Sequence, residues 1–222
     1  MCARFTLFTP GQRIAELFHL SQVPALTPRY NVAPSQLVAV IGTKAGGGGR
    51  GLALFRWGFI PRWANDQKGP KPVNAKAETI ASTSAFRDSY RDRRCLIPTD
   101  GFYEWRDTPE GKKPLFYRLK GGEVMALAGI WDFWPGPTEK VFTCAIVTTA
   151  ANSLVEPVHD RMPVILPLDA WDLWLDPAVT DPERLLSVLK PYPAEKMEAV
   201  PVIGTAVNNS RFEGPECLAG VT

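Results

Sequence analysis

Cys2 is the residue with the most specific chemistry, because it follows the initiator methionine. Aminopeptidases usually remove a methionine in front of a small residue, so we expect the mature chain to begin with Cys2, with an α-amine and a thiol on neighbouring carbons. Such an aminothiol condenses with an aldehyde to an imine, which the thiol closes to a five-membered thiazolidine. The α-amine, with a reference pKa of about 7.7–8.0, is uncharged at neutral pH far more often than a lysine. Many chains nevertheless begin Met-Cys without this chemistry.

Three polar side chains elsewhere are of the types that could assist such a reaction. Asn74 opens the stretch Asn-Ala-Lys-Ala-Glu-Thr, and His159 lies in Val-His-Asp-Arg-Met-Pro. Glu104 lies between aromatic residues in Gly-Phe-Tyr-Glu-Trp, where loss of water raises the pKa of a carboxyl group. Each also has a structural interpretation: Asn74 as a turn residue, Glu104 on the solvent side of an alternating strand, and His159 as a hydrogen-bonded structural histidine.

Charge is distributed unevenly along the 222 residues, although the formal net charge is only +2. Residues 1–120 hold 19 lysines and arginines and 9 acidic residues, a balance of +10, whereas residues 121–222 hold 6 and 14, a balance of −8. A basic half is typical of a protein that binds a polyanion such as nucleic acid. Two oppositely charged halves would equally well pack on each other, so both interpretations stay open at this point.

The four cysteines, Cys2, Cys95, Cys144 and Cys217, are far apart and lack the paired spacing of a metal site. Since the chain has only two histidines, we expect no metal and no cofactor, and we interpret the last three cysteines as structural. No stretch has the composition of a secretory leader or reaches the roughly 18 apolar residues of a membrane span. We therefore expect a reducing, cytoplasmic location without disulfides.

The elements that must position these residues are mostly short strands. Apolar and alternating runs predict strands at 2–8, 36–41, 52–57, 95–97, 101–106, 114–119, 124–131, 141–148 and 197–202. Four helices are predicted to begin near residues 10, 83, 169 and 182, with Thr9 and Gln12 forming a capping box for the first and Asp181 capping the last. This spacing predicts an α+β fold, in which a mainly antiparallel, barrel-like β-sheet core with a few short flanking helices forms one domain over residues 1–222.

Residues 58–75 show little periodicity and are rich in proline, as is typical of a functional loop. Trp57 and Trp63 lie at its start, and Arg62 and Lys68 are close in sequence. Aromatic rings on which bases stack, beside cations that hold phosphates, are typical of a surface for single-stranded nucleic acid. The alternative is that each tryptophan is a core residue.

Seven motifs occur in the order that one family shares: Met-Cys-x-Arg-Phe, Tyr-Asn-x-Ala-Pro, Trp-Gly-Phe-Ile-Pro, Asn-Ala-Lys-Ala-Glu-Thr, Gly-Phe-Tyr-Glu-Trp, Thr-Thr-Ala-Ala-Asn and His-Asp-Arg-Met-Pro. The chain resembles the SRAP family, the SOS-response-associated peptidases, now understood as abasic-site processing proteins. The resemblance runs from Cys2 to about residue 210. It implies the SRAP fold and a covalent bond from Cys2 to the ring-opened aldehyde of an abasic site in single-stranded DNA, which shields the lesion, with lyase and autoproteolytic activity as further implied properties.

The resemblance also implies roles for individual residues. Asn74 would help to position the lesion and the Cys2 amine, Glu104 would act as acid and base in ring opening and imine formation, and His159 would transfer protons or position the deoxyribose. DNA contacts are implied for Arg4, Trp57, Trp63, Lys76, Thr148, Thr149 and Arg161. Arg161 could instead form a salt bridge with Asp160. We expect a monomer that is associated with the nucleoid when it is bound to DNA.

Two positions depart from the family's usual pattern. Ala3 replaces a glycine next to the nucleophile, and Lys76 replaces an arginine, which keeps the charge but loses the bidentate fork. Two other functions stay open. One is a cysteine peptidase in which Cys2 is the nucleophile and His159 the base, and the other is a non-catalytic module that binds single-stranded DNA.

Overall fold

The computed structural model describes residues 3–44, 46, 48–136 and 139–220, so Met1 and Cys2 lie outside it. The strands in these ranges are β1 (Phe5–Leu7), β2 (Arg29–Val32), β3 (Leu37–Thr43), β4 (Arg50–Trp57), β5 (Asn74–Lys76), β6 (Arg94–Thr99), β7 (Gly101–Thr108), β8 (Gly111–Leu119), β9 (Met125–Pro135), β10 (Lys140–Ala150), β11 (Arg161–Pro163) and β12 (Met197–Pro201). The α-helices are α1 (Gly11–Phe18), α2 (Arg87–Asp92), α3 (Trp171–Leu175), α4 (Pro182–Leu186) and α5 (Gly204–Val207). None of these helices is long and apolar enough to cross a membrane.

Five strands close into a barrel. Around the ring, β3 pairs with β4 and β6, β6 with β9, β9 with β10, and β10 with β4. Every pairing in the ring is antiparallel except that of β10 with β4. The predicted α+β fold, with a mainly antiparallel, barrel-like core and a few short helices, is confirmed. Closure matters because it removes the exposed edges of an open sheet.

A second, antiparallel sheet has the order β12-β8-β7-β1-β2. In it, β1 pairs with β7, so that Phe5 lies opposite Phe102, and the amide of Tyr103 donates a hydrogen bond of 3.0 Å to the carbonyl of Arg4. This pairing brings the first described residues of the chain alongside the strand that contains Glu104.

Two hydrophobic cores lie on the two faces of the barrel strands. The first includes the helices, with Ile14 and Phe18 of α1 and a stacked contact of 4.6 Å between Phe18 and Trp171. The second core contains the alternate residues of the same strands, which point to the opposite face, and it also includes Phe5 and Phe102 of the second sheet. Burial on both faces explains why β6 and most of β10 are nearly continuous apolar runs.

Residues 58–73 form a long loop between β4 and β5, and the two ends of the loop lie next to neighbouring positions of β10. Trp57, the last residue of β4, lies opposite Cys144, and Asn74, the first residue of β5, lies opposite Ile146. Both strands run parallel to β10. Strands β4 and β5 therefore behave as one strand that is interrupted by a long loop.

The first helix begins differently from the prediction. The Thr9 hydroxyl and amide both bond to the carboxylate of Asp100, so Thr9 does not cap α1, and Gln12 bonds to a glutamate one turn further on. Asp181 does cap α4, since its side chain accepts a bond of 3.0 Å from the amide of Glu183. The short strands β2, β5 and β11 were not predicted.

Candidate active site

Glu104 lies on β7 and is only 6% exposed. Because successive strand residues point to opposite faces, Glu104 shares a face with Phe102, while Tyr103 packs into a separate small core. Burial raises the pKa of the Glu104 carboxyl, the nearby Asp160 carboxylate acts in the same direction, and the His159 imidazole opposes both. The carboxyl group therefore keeps its proton to a higher pH than in water, which suits a proton donor.

His159 follows a tight turn that begins at Asn152, and its own amide donates to the carbonyl of Val155 at 3.0 Å. The imidazole Nδ1 accepts a hydrogen bond of 2.9 Å from the amide of Arg161 and lies 2.9 Å from a carboxylate oxygen of Asp160. A neutral imidazole that accepts at Nδ1 has its proton on Nε2.

Three neighbouring strands bring together most of the other predicted residues. Along β10, Ile146 lies opposite Asn74, Thr148 opposite Lys76, and Ala150 opposite Arg161. The Lys76 side chain is exposed, whereas those of Thr148 and Thr149 are buried. The pairing of β5 and β11 with the same part of β10 thus places Asn74, Lys76 and Arg161 on neighbouring strands.

The guanidinium of Arg161 forms a two-point contact with the carboxylate of Glu78, with bonds of 2.7 and 2.9 Å. A further bond of 2.7 Å goes to the carbonyl of Thr148. The hydrogen bond from Arg161 is the main cause that lowers the pKa of Glu78. The salt-bridge partner of Arg161 is therefore Glu78 rather than Asp160. Sequence reasoning missed this role, although Glu78 belongs to the Asn-Ala-Lys-Ala-Glu-Thr stretch.

Arg4 joins the N-terminal strand to the C-terminal part of the chain. Its guanidinium donates to Oδ1 of Asn31 at 2.6 Å and to the carbonyl of Val207 at 2.8 Å, and lies 5.8 Å from the ring of Trp105. Asn31 is fully buried, and its amide donates to the carbonyl of Phe212 at 2.9 Å. The predicted phosphate contact of Arg4 stays a prediction. Sequence reasoning missed Asn31, although it lies in the Tyr-Asn-x-Ala-Pro motif.

The two predicted base-stacking tryptophans differ sharply in exposure. Trp57 is 0% exposed, its Nε1 donates to the carbonyl of Val73 at 2.8 Å, and its ring packs edge-on against Phe5. It is a core residue in this structure and offers no ring face to a base. Trp63 is 59% exposed. The preceding residue, Arg62, fixes this part of the loop because its amide and Nε both bond to Asp132 at 2.9 Å.

Cys2, the predicted nucleophile, lies outside the described residues. The β1–β7 register, in which Thr6 lies opposite Gly101 and Phe5 opposite Phe102, brings Ala3 level with Glu104 when it is continued along both strands.

The three described cysteines, Cys95, Cys144 and Cys217, are free and buried, as expected of structural thiols. Burial raises the pKa of Cys217 to about 11, so it stays a thiol at neutral pH. Within the ranges given for the fold, no group of three or more histidine, cysteine and acidic residues could hold a metal ion.

The N-terminal strand β1 pairs with β7, which holds the buried Glu104, and the chain that folds in this way is similar to known proteins in sequence and in fold. The family model described as SOS response associated peptidase (SRAP) matches residues 1–210, and the chain belongs to this family. Over 224 residues it is 43% identical to the abasic site processing protein YoqW of Bacillus subtilis, covering 98% of this chain and 99% of that protein. It is 30% identical over 226 residues to the abasic site processing protein HMCES of Gallus gallus, covering 87% of this chain and 66% of that protein.

Solved structures have the same fold. A protein from Bacteroides thetaiotaomicron superposes with a TM-score of 0.88 at 26% identity, over 99% of this chain and 100% of the other. A protein from Bordetella bronchiseptica gives a TM-score of 0.79 at 25% identity, over 91% of this chain and 100% of the other.

Proposed function

We propose that this protein processes abasic sites, and that it bonds covalently through Cys2, after removal of Met1, to the ring-opened aldehyde of an abasic site in single-stranded DNA. The observation that carries this proposal is the buried carboxyl group of Glu104, with a raised pKa, on the strand that pairs with the N-terminal strand. The names of the bacterial and vertebrate relatives support the choice of lesion. The protein would act in the cytoplasm, as a monomer, without a cofactor.

The reaction can be written with all atoms accounted for. An abasic sugar is mostly a closed hemiacetal. Glu104 in its acid form donates a proton to the ring oxygen, and its carboxylate then accepts the proton of the hemiacetal hydroxyl, which frees the aldehyde and restores the acid. The Cys2 amine adds to the aldehyde carbon, and the adduct loses water to give an imine. The Cys2 sulfur then adds to the imine carbon while its proton passes to the nitrogen. The products are a thiazolidine and one molecule of water.

The neighbouring side chains have roles that fit their positions. His159, with its proton on Nε2, would donate to the deoxyribose or relay a proton. Asn74 would orient the sugar and the amine, and Lys76 would hold a backbone phosphate. Trp63 would stack on a base, which contributes about 1–3 kcal/mol per base in proteins that bind single strands. An imine without ring closure would proceed to β-elimination and strand cleavage, so the thiol is what protects the strand.

One denaturing gel tests the proposal. Wild-type protein is incubated with matched single-stranded oligonucleotides, one abasic and one intact, and we expect a denaturant-stable complex with the abasic strand alone. The Cys2→Ala variant should lose this complex while retaining some strand cleavage through its alanine amine. Stable crosslinks from Cys2→Ala, or a chain that keeps Met1 by intact-mass measurement, would refute the thiazolidine mechanism. Equal and reversible binding to both strands would indicate a non-catalytic module.

A further inference from the structure

Arg161, which is predicted to contact a phosphate, is largely occupied in this structure. A guanidinium has five N–H donors. Two of them bond to Glu78, a third goes to the carbonyl of Thr148, and the N–H on Nε is buried with no hydrogen-bond acceptor in the described part of the chain. The Arg161 side chain is 12% exposed and that of Glu78 52%. One donor, on Nη1, is therefore left for an incoming ligand.

A DNA phosphate cannot simply bind beside this ion pair. Carboxylate and phosphate groups both match the planar fork of arginine, and each prefers two parallel N–H bonds. A phosphate placed on the single remaining donor would also lie next to the like charge of Glu78, which is unfavourable. The two anions therefore compete for the same two donors.

The backbone around Glu78 is fixed while its side chain faces solvent. Glu78 lies in the turn that follows β5, where the Ala77 amide bonds to the carbonyl of Thr148 at 2.9 Å and the Thr79 amide to that of Lys76 at 3.1 Å. Rotation of one half-exposed side chain would release the fork without moving the sheet.

We propose that the Glu78 carboxylate occupies the Arg161 fork, in the free protein, at the place that a backbone phosphate takes in the DNA complex. DNA binding then exchanges one anion for another. This inference rests on the proposed function, since it needs a DNA strand at Arg161. It gives the glutamate of the Asn-Ala-Lys-Ala-Glu-Thr stretch a specific role, because its carboxylate occupies the fork of a mostly buried arginine until a phosphate displaces it.

The test is reversible binding of a fluorescently labelled, intact single-stranded oligonucleotide, which has no aldehyde and cannot crosslink. Glu78→Gln removes the competing charge and should lower the Kd about two- to fivefold, the range expected for an exposed ion pair. In an Arg161→Gln background, Glu78→Gln should have no effect. This double-mutant cycle isolates the pair, because a general gain of one positive charge would tighten binding equally in both backgrounds.

The matched control is Glu110→Gln, which removes another exposed, ion-paired carboxylate, bonded to Lys113 at 3.0 Å, and should leave the Kd unchanged. If Arg161→Gln does not fold, as judged from its melting curve, Arg161→Lys serves as the second background. Lysine keeps the charge without the fork, so the gain from Glu78→Gln should be smaller there.

Two results would overturn the inference. Either Glu78→Gln binds as wild type or more weakly, or its gain persists in both Arg161 backgrounds. Failure of the proposed function is separable, because it is judged from the covalent complex of the wild-type protein with abasic DNA. A protein that crosslinks normally but shows no gain in Glu78→Gln would contradict the anion exchange alone.

Discussion

Replacement of Glu104 by glutamine should slow the reaction and stabilise the fold at the same time. The substitution keeps the size and polarity of a side chain that is 6% exposed, and removes its ability to donate and accept a proton. General acid–base catalysis contributes about 10²- to 10⁴-fold, which corresponds to about 2.7–5.5 kcal/mol of activation free energy. We expect the crosslinking rate of Glu104→Gln to fall by this factor.

The effect on stability follows from the pKa. Burial raises the pKa of Glu104 above its value of 4.5 in the unfolded chain. The stability contributed by such a group is complete below pH 4.5 and is lost as the pH rises through the folded pKa. At pH 7.5 the raised pKa of Glu104 therefore lowers the unfolding free energy of the wild-type protein, and the neutral glutamine does not have this effect. Each unit of pKa difference corresponds to about 1.4 kcal/mol, and each 1 kcal/mol changes the Tm by about 2–4 °C in a chain of this size.

Single-turnover crosslinking at pH 7.5 and melting curves at pH 7.5 and 4.5 measure both effects. We expect Glu104→Gln to be slower than wild type and to melt at a higher temperature at pH 7.5, with the difference in Tm shrinking at pH 4.5. Glu110→Gln, in the exposed β7–β8 turn, should match wild type in both assays. An unchanged crosslinking rate would refute the acid–base role, and a lower Tm at pH 7.5 would refute burial as the dominant influence on this carboxyl group.

Three further substitutions test the structure around the site. Asn31→Ala removes the hydrogen bonds that Asn31 makes with Arg4 and with residues 207–212, and should lower the unfolding free energy by about 2–4 kcal/mol in urea titrations; an unchanged midpoint would contradict this. Arg94 donates to five backbone carbonyls, and three of these hydrogen bonds are buried. Arg94→Lys leaves several of the carbonyls without a donor and should lower the unfolding free energy by about 2–3 kcal/mol in the same assay, well above the scatter of surface variants. Asp181→Ala removes the α4 cap, and a Tm decrease of about 2–4 °C, from about 1 kcal/mol, is expected by calorimetry.

The fold class could be predicted because the strands that build the barrel are long and strongly apolar. The β9–β10 hairpin shows this best, since both strands are clear in the sequence and pair directly with each other. Strand β5 could not be predicted in this way. It has three residues, Asn74–Lys76, with no periodicity, and it is a strand because β10, far along the chain, provides its hydrogen bonds.

In the candidate site, the burial of Glu104 could be predicted from the sequence, whereas the side-chain contacts could not. The aromatic neighbours of Glu104 correctly indicated burial and a raised pKa. The contact between Arg161 and Glu78 joins residues 83 positions apart, and no local pattern indicates it. Thr9 is a similar case. Its local sequence predicts a helix cap, but in the structure its hydroxyl bonds to Asp100, 91 positions away. Trp57 shows that an aromatic residue beside cations in sequence can still point into the core.

The loop of residues 58–73 begins and ends at nearby positions of β10, like an Ω-loop, so its length is almost irrelevant to the barrel. The entropy of loop closure grows slowly, and a doubling of loop length costs about 0.6 kcal/mol. Phe59 and Ile60 at the start of the loop are buried, and Arg62 is bonded to Asp132. The mostly exposed stretch of residues 65–70 can therefore change in length with little effect on the register that positions Asn74. A change of length in this exposed stretch leaves the backbone pairing of Asn74 with β10 in place.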